Sequence, residues 1–160
     1  MSVGILLITH SGIGGALLNV AYGTFGRLPL EISHISVSRD PDPDLLVAKA
    51  SYMVRKLNSG SGVLVLTDMF GSTPSNIASG LQEQGLAVRV VSGLNLPMLF
   101  RILNYPNLAL SQLAKKAISG GKEGIFEPLA ERVIAIAHKI ALRKKKHLVK
   151  IHRQRRVMIE

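Results

Sequence analysis

Three short apolar runs in this chain stop on polar residues and pass directly into a glycine-bearing turn. Residues 3–8 run into Thr9-His10-Ser11-Gly12, residues 63–66 into Thr67-Asp68-Met69-Phe70-Gly71, and residues 86–91 into Ser92-Gly93. The first two are apolar at every position except Gly4, the pattern of strands buried on both faces, as in a parallel sheet covered by helices. After Gly12, residues Ile13, Leu17, Val20, Ala21 and Thr24 recur at helical spacing. Residues 30–37 read as a further strand, and Asp40-Pro41-Asp42-Pro43-Asp44 turns the chain. Asp42 as N-cap and Pro43 at the first helical position then open a helix carrying Leu46, Ala50, Met53 and Leu57 on one face. Thr73 as cap and Pro74 open another, through Ile77, Ala78 and Leu81; helices over about 98–103 and 108–119 follow, the latter closed by Gly120-Gly121.

Four strands alternating with helices imply an α/β fold, a doubly wound, mostly parallel four-stranded sheet with helices on both faces. Such sheets bind ligands beyond the carboxyl ends of their strands, where strand order reverses. Right-handed crossovers bring the three polar strand ends to that one edge. At 160 residues and 47% hydrophobic, one core with an appendage is expected. With no cysteine, disulfides and thiolate metal sites are excluded. The first apolar stretch has no basic lead or Ala-x-Ala site and reads as a strand rather than a signal peptide. No apolar run approaches the ~18 residues of a membrane span, so a cytoplasmic protein is expected.

His10 is the candidate nucleophile. Neutral imidazole attacks phosphorus without needing a metal or other cofactor if its geometry is supplied. A carboxylate bonded to one ring nitrogen fixes the tautomer and leaves the other lone pair free, and Asp68 is the natural partner. A bound phosphoryl group needs amide and hydroxyl donors, which Ser11 and Gly12, with Gly14 and Gly15, offer on one side and Ser72 and Thr73 on the other. Two competing readings fail. Gly12-Ile13-Gly14 would need its third dinucleotide-binding glycine at Leu17, and an aspartyl-phosphate receiver would need an acidic pair where Thr9-His10 stands. His34 falls inside a strand, and His138, His147 and His152 lie in or near the basic tail.

Ile8-Thr9-His10-Ser11, Thr67-Asp68-Met69-Phe70-Gly71-Ser72-Thr73-Pro74-Ser75-Asn76, Gly93-Leu94-Asn95-Leu96-Pro97-Met98-Leu99 and Gly121-Lys122-Glu123-Gly124 stand in order along residues 1–128. This pattern resembles the IIA domain of the mannose-family phosphoenolpyruvate-dependent sugar phosphotransferase system. The resemblance implies that His10 accepts a phosphoryl group from the phosphocarrier HPr and passes it to a IIB protein, with Asp68 orienting the ring. It also implies a homodimer in which residues near 121–127 form an edge strand that can exchange between subunits. Phe70 stands where the family often has tryptophan, and Gly12 where it has a bulkier residue. The same fold serves the subunit that feeds dihydroxyacetone kinase, but Met69-Phe70-Gly71-Ser72 fits the sugar-transport version better. A phosphorylation-state sensor without a transport role is the alternative from a different class.

The net charge of +10 is unevenly placed. Residues 1–138 carry eleven Lys/Arg against nine Asp/Glu, and residues 139–160 carry nine against one. Residues 129–160 form the expected appendage, an amphipathic helix marked by Leu129, Val133, Ile136 and Ile140 and then a basic tail. Arg143-Lys144-Lys145-Lys146 and Arg153-Gln154-Arg155-Arg156 read first as a solvated helix end and, more sharply, as a contact for an anionic membrane surface or nucleic acid.

Overall fold

The continuous apolar runs become the two central strands. The structure, a computed structural model, describes residues 2–128; the amphipathic helix and basic tail expected over 129–160 lie outside the described residues. Strands β1 (Gly4–His10) and β3 (Val63–Thr67) lie side by side, β2 (Ile32–Val37) pairs with the free edge of β1, and β4 (Val88–Ser92) with that of β3. All pairs are parallel and the order is β2-β1-β3-β4. Ile5 through Ile8 and Val63 through Leu66 are fully buried, because helices cover both faces of the sheet. The edge strands are only partly buried, and β2 begins two residues later than its apolar pattern suggests.

Alternate residues of the central strands serve two cores. Ile5, Leu7, Leu64 and Leu66 pack with Leu18, Leu99, Ile102 and Leu113, under α1 (Ile13–Phe25), α4 (Leu96–Leu103) and α5 (Leu110–Glu123). Leu6, Ile8, Val63 and Val65 pack with Ala50, Val54, Ile77 and Leu81, under α2 (Pro43–Leu57) and α3 (Thr73–Glu83). Each fully buried side chain of this size contributes roughly 1.5–3 kcal/mol, so β1 is fixed from both sides before its terminal residue is considered.

Helix starts follow the cap chemistry. Asp42 accepts the Leu45 amide at 3.1 Å with Pro43 just inside α2. Asn95 accepts the Met98 amide at 2.9 Å, so α4 begins at Leu96, two residues before the apolar spacing indicated. Among the described residues no helix is long and apolar enough to cross a membrane.

The end of α5 departs from expectation. Gly120-Gly121 do not close the helix, which continues to Glu123, and the edge strand implied near 121–127 is not formed in this single chain: 121–123 are helical and 124–128 form no strand. The glycines instead permit close contact with α4. A methyl group at Gly120 would overlap the Arg101 side chain, and the Asn95 amide donates to the Gly121 carbonyl at 3.3 Å. An Arg101–Glu123 ion pair of 2.7 Å spans the same contact. Gly120→Ala should therefore destabilise the fold by about 1–3 kcal/mol, despite alanine's higher helix propensity. Equilibrium denaturation tests this, and a stabilised variant would show that α4 does not press on α5.

Candidate functional site

The chain leaves β1 for β2 on one side and crosses back to place β3 on the other. Strand order therefore reverses between β1 and β3, and the crevice at their carboxyl ends is the expected ligand position. His10 is the last residue of β1 and Asp68 the first after β3.

The ladder explains why these two meet. The Gly4 N–H donates to the Gly62 carbonyl on the β3 side at 3.1 Å, and the Ile5 N–H to Glu31 on the β2 side at 2.9 Å. Alternation then turns the His10 N–H towards β3 at the point where that strand has ended. Asp68 Oδ2 takes the vacant acceptor place, receiving the His10 N–H at 3.0 Å, and the same oxygen lies 2.8 Å from His10 Nδ1. The other oxygen, Oδ1, accepts the Met69 N–H at 3.0 Å. One carboxylate thus holds both backbone and ring of the histidine.

The electrostatics follow from this geometry. Burial pushes the Asp68 carboxyl up, but the hydrogen bonds from the His10 ring and backbone, the ring's charge and the local backbone bond together bring it below its ordinary value of 3.8. An ionised carboxylate has no proton to give, so Nδ1 carries the hydrogen and the lone pair resides on Nε2. The Asp68 side chain is 8% exposed, whereas that of His10 is 45% exposed. The arrangement is a sheltered base behind an accessible imidazole.

Of the remaining expected site residues, none is hydrogen-bonded to His10 or Asp68. The Ser11 N–H and hydroxyl both donate to the Val37 carbonyl, at 3.1 and 3.2 Å. Gly12, at φ +88°, is the N-cap of α1 and is exposed. Ser72 is buried and donates its hydroxyl to the Met69 carbonyl at 2.6 Å, closing the loop that carries Asp68. Ser72, not Thr73, is the N-cap of α3; Thr73 is its exposed first residue. The hydroxyls of Ser11 and Ser72 are thus occupied in shaping loops, while Gly12 and Thr73 stand exposed at helix starts on either side.

The Gly14 amide, expected to face a phosphoryl group, is instead donated to Thr9 Oγ1 at 3.0 Å. Sequence alone assigns Thr9 no part in the site; the only signal is that a hydroxyl residue stands next to the histidine. Ile13, Met69 and Phe70, in the two loop-to-helix segments, are exposed, Phe70 by 85%. His34 lies in edge strand β2, opposite Leu7, and is exposed. Among the described residues no three His, Asp or Glu side chains gather at metal-ligand spacing.

Comparison with known proteins adds three findings. The family model EIIA-man, described as the fructose IIA component of the PTS system, matches residues 4–118. The mannose-specific EIIAB component of Escherichia coli strain K12 is 28% identical over 127 residues, 78% of this chain. The chain spans about two fifths of the length of such curated relatives, 39% in this case. Among solved structures, the mannose/sorbose-specific IIA subunit from Enterococcus faecalis superposes with a TM-score of 0.72 at 24% identity, covering 81% of this chain and 96% of that one. The EIIA component from Streptococcus agalactiae gives 0.68 at 24% identity, covering 78% and 96%. These two likenesses concern the fold.

Proposed function

This chain belongs to the EIIA-man family of phosphotransferase-system IIA components, and we propose that His10 is its phosphoryl carrier, accepting the group from phospho-HPr and passing it to a IIB protein in sugar uptake. The observation that carries the reading is the 2.8 Å contact between His10 Nδ1 and Asp68 Oδ2, which leaves the lone pair on Nε2 of a ring whose side chain is 45% exposed. In the transfer, Nε2 attacks phosphorus in line with the departing nitrogen of the donor. A new P–N bond forms as the donor's P–N bond breaks, and the electron pair of the broken bond returns to the donor imidazole. The positive charge developing on the His10 ring is balanced by Asp68, which keeps the Nδ1 hydrogen in its hydrogen bond rather than removing it. Return to the resting state is the same step run towards IIB, so the dyad serves both directions without a second catalytic group.

The exposed positions of Gly12 and Thr73 at the starts of α1 and α3 support their assignment as phosphoryl contacts. Ser11 and Ser72 contribute through the loops they hold. A homodimer in the cytoplasm is part of this reading, with any edge strand from residues near 121–127 completed only on a second subunit. The deciding experiment is transfer of labelled phosphate from phosphoenolpyruvate through enzyme I and HPr, comparing the native chain with His10→Gln. Equal labelling of the two proteins removes the assignment.

A further inference from the structure

We propose that Thr9 is a positioning residue for His10: its buried hydroxyl locks the His10–Ser11 peptide to the first turn of α1 and thereby sets the direction in which Nε2 meets phosphorus. This rests on the reading of His10 as phosphoryl acceptor. Thr9 is fully buried on the α1 side of the sheet. Its Oγ1 accepts the Gly14 amide at 3.0 Å and donates to the His10 carbonyl at 3.0 Å, using its donor and one acceptor position within six residues of chain. The N-cap of α1 is Gly12, which offers no side chain, so this strand hydroxyl satisfies an amide of the first turn that a cap residue would otherwise have taken.

The consequence lies in the peptide planes flanking the histidine. The His10 N–H is held by Asp68 Oδ2, its carbonyl by the Thr9 hydroxyl, and the following Ser11 N–H by the Val37 carbonyl. A peptide plane anchored at both ends cannot rock, so the Cα–Cβ direction of His10 is determined before any ring torsion is chosen. Asp68 then selects the rotation of the ring. Thr9 and Asp68 therefore act on different degrees of freedom, since one fixes the base from which the ring projects and the other its orientation. The fit is mutual, because a Cβ on Gly14 would stand 3.0 Å from Thr9 Oγ1 and 3.6 Å from its Cγ2. Without the hydroxyl, the Gly14 amide and the His10 carbonyl lose the group that joins them, and the turn through Gly12 keeps only the Ser11 bonds to Val37.

Three variants of the full chain, Thr9→Val, Thr9→Ser and Gly14→Ala, test the proposal, with Ser51→Ala as a control that deletes a buried hydroxyl bonded to Gln84 at 2.8 Å between α2 and α3. The readouts are single-turnover transfer from phospho-HPr over a range of donor concentrations, and denaturation midpoints. Thr9→Val should lower the limiting transfer rate about tenfold or more with little change in half-saturating donor concentration. Thr9→Ser should restore it to within about twofold, and Gly14→Ala should slow transfer by crowding the hydroxyl. Ser51→Ala should lose stability and keep its rate. Native-like transfer in Thr9→Val, or a Thr9→Ser protein as slow as Thr9→Val, overturns the proposal. If Thr9→Val does not fold, native-like transfer in Gly14→Ala overturns it. Failure of the His10 assignment itself is separately visible, as label retained in His10→Gln.

Discussion

His10→Gln should take no label from phosphoenolpyruvate in the presence of enzyme I and HPr, a loss of at least about a thousandfold against the native chain. Glutamine keeps a polar side chain of comparable reach, but its amide nitrogen has no available lone pair and cannot form the P–N bond. The backbone N–H that donates to Asp68 Oδ2 survives the substitution, and the side chain lost is 45% exposed. Stability should therefore change by no more than about 1 kcal/mol, and lost labelling cannot be blamed on unfolding. His34→Gln is the matched control: an exposed histidine on β2, opposite Leu7 and so three register positions back from the pair formed by His10 and Val37, and expected to label normally. Label that persists in His10→Gln and disappears in His34→Gln would transfer the role to the wrong side of the sheet edge and end the dyad mechanism.

The parts of the molecule that are legible in the sequence are those where one physical effect dominates. Residues 5–8 and 63–66 are apolar on consecutive positions because helices cover both sheet faces, and their shortness and β-branched residues favour a strand over a buried helix. The convergence of His10 and Asp68 follows from topology alone, since parallel strands joined by right-handed crossovers place their carboxyl ends together. The bond between them does not follow, because it depends on which ladder direction the His10 N–H takes. Where one residue type serves two purposes, local pattern misleads. Gly120-Gly121 look like a helix terminator, yet they are helical glycines required by contact with α4, and only the position of Arg101 and Met98 in space distinguishes the cases. Ser72 and Thr73 are adjacent and both suited to capping; the chain caps with Ser72 and spends its hydroxyl on the Met69 carbonyl. The strand implied near 121–127 is a property of the resemblance; in this single chain α5 continues to Glu123 and 124–128 form no strand.

Asp68→Asn should leave His10 labelled but slowly, by about 10²–10⁴-fold, the range lost when the group orienting a catalytic histidine is neutralised. The amide can offer one oxygen to the His10 N–H or to the ring, and its NH₂ group presented to Nδ1 would favour the tautomer with hydrogen on Nε2, the wrong nitrogen for attack. It also removes the negative charge that balances the phosphorylated imidazole. The same substitution carries a pH signature that separates charge from shape. Asp68 is held below its ordinary value of 3.8 in the folded chain, so the unfolded state binds the proton more readily as pH falls. The stabilisation due to its ionised form is fully present above about pH 5, begins to fade as pH approaches that value, and is lost as pH drops through the lower folded-state value. The stability difference between the native chain and Asp68→Asn, about 1–3 kcal/mol at neutral pH, should therefore shrink as pH falls below about 5. A difference that persists unchanged at pH 3 would mean that Asp68 contributes through packing and neutral hydrogen bonding. The charge-balancing role in the transfer step would then lose its support.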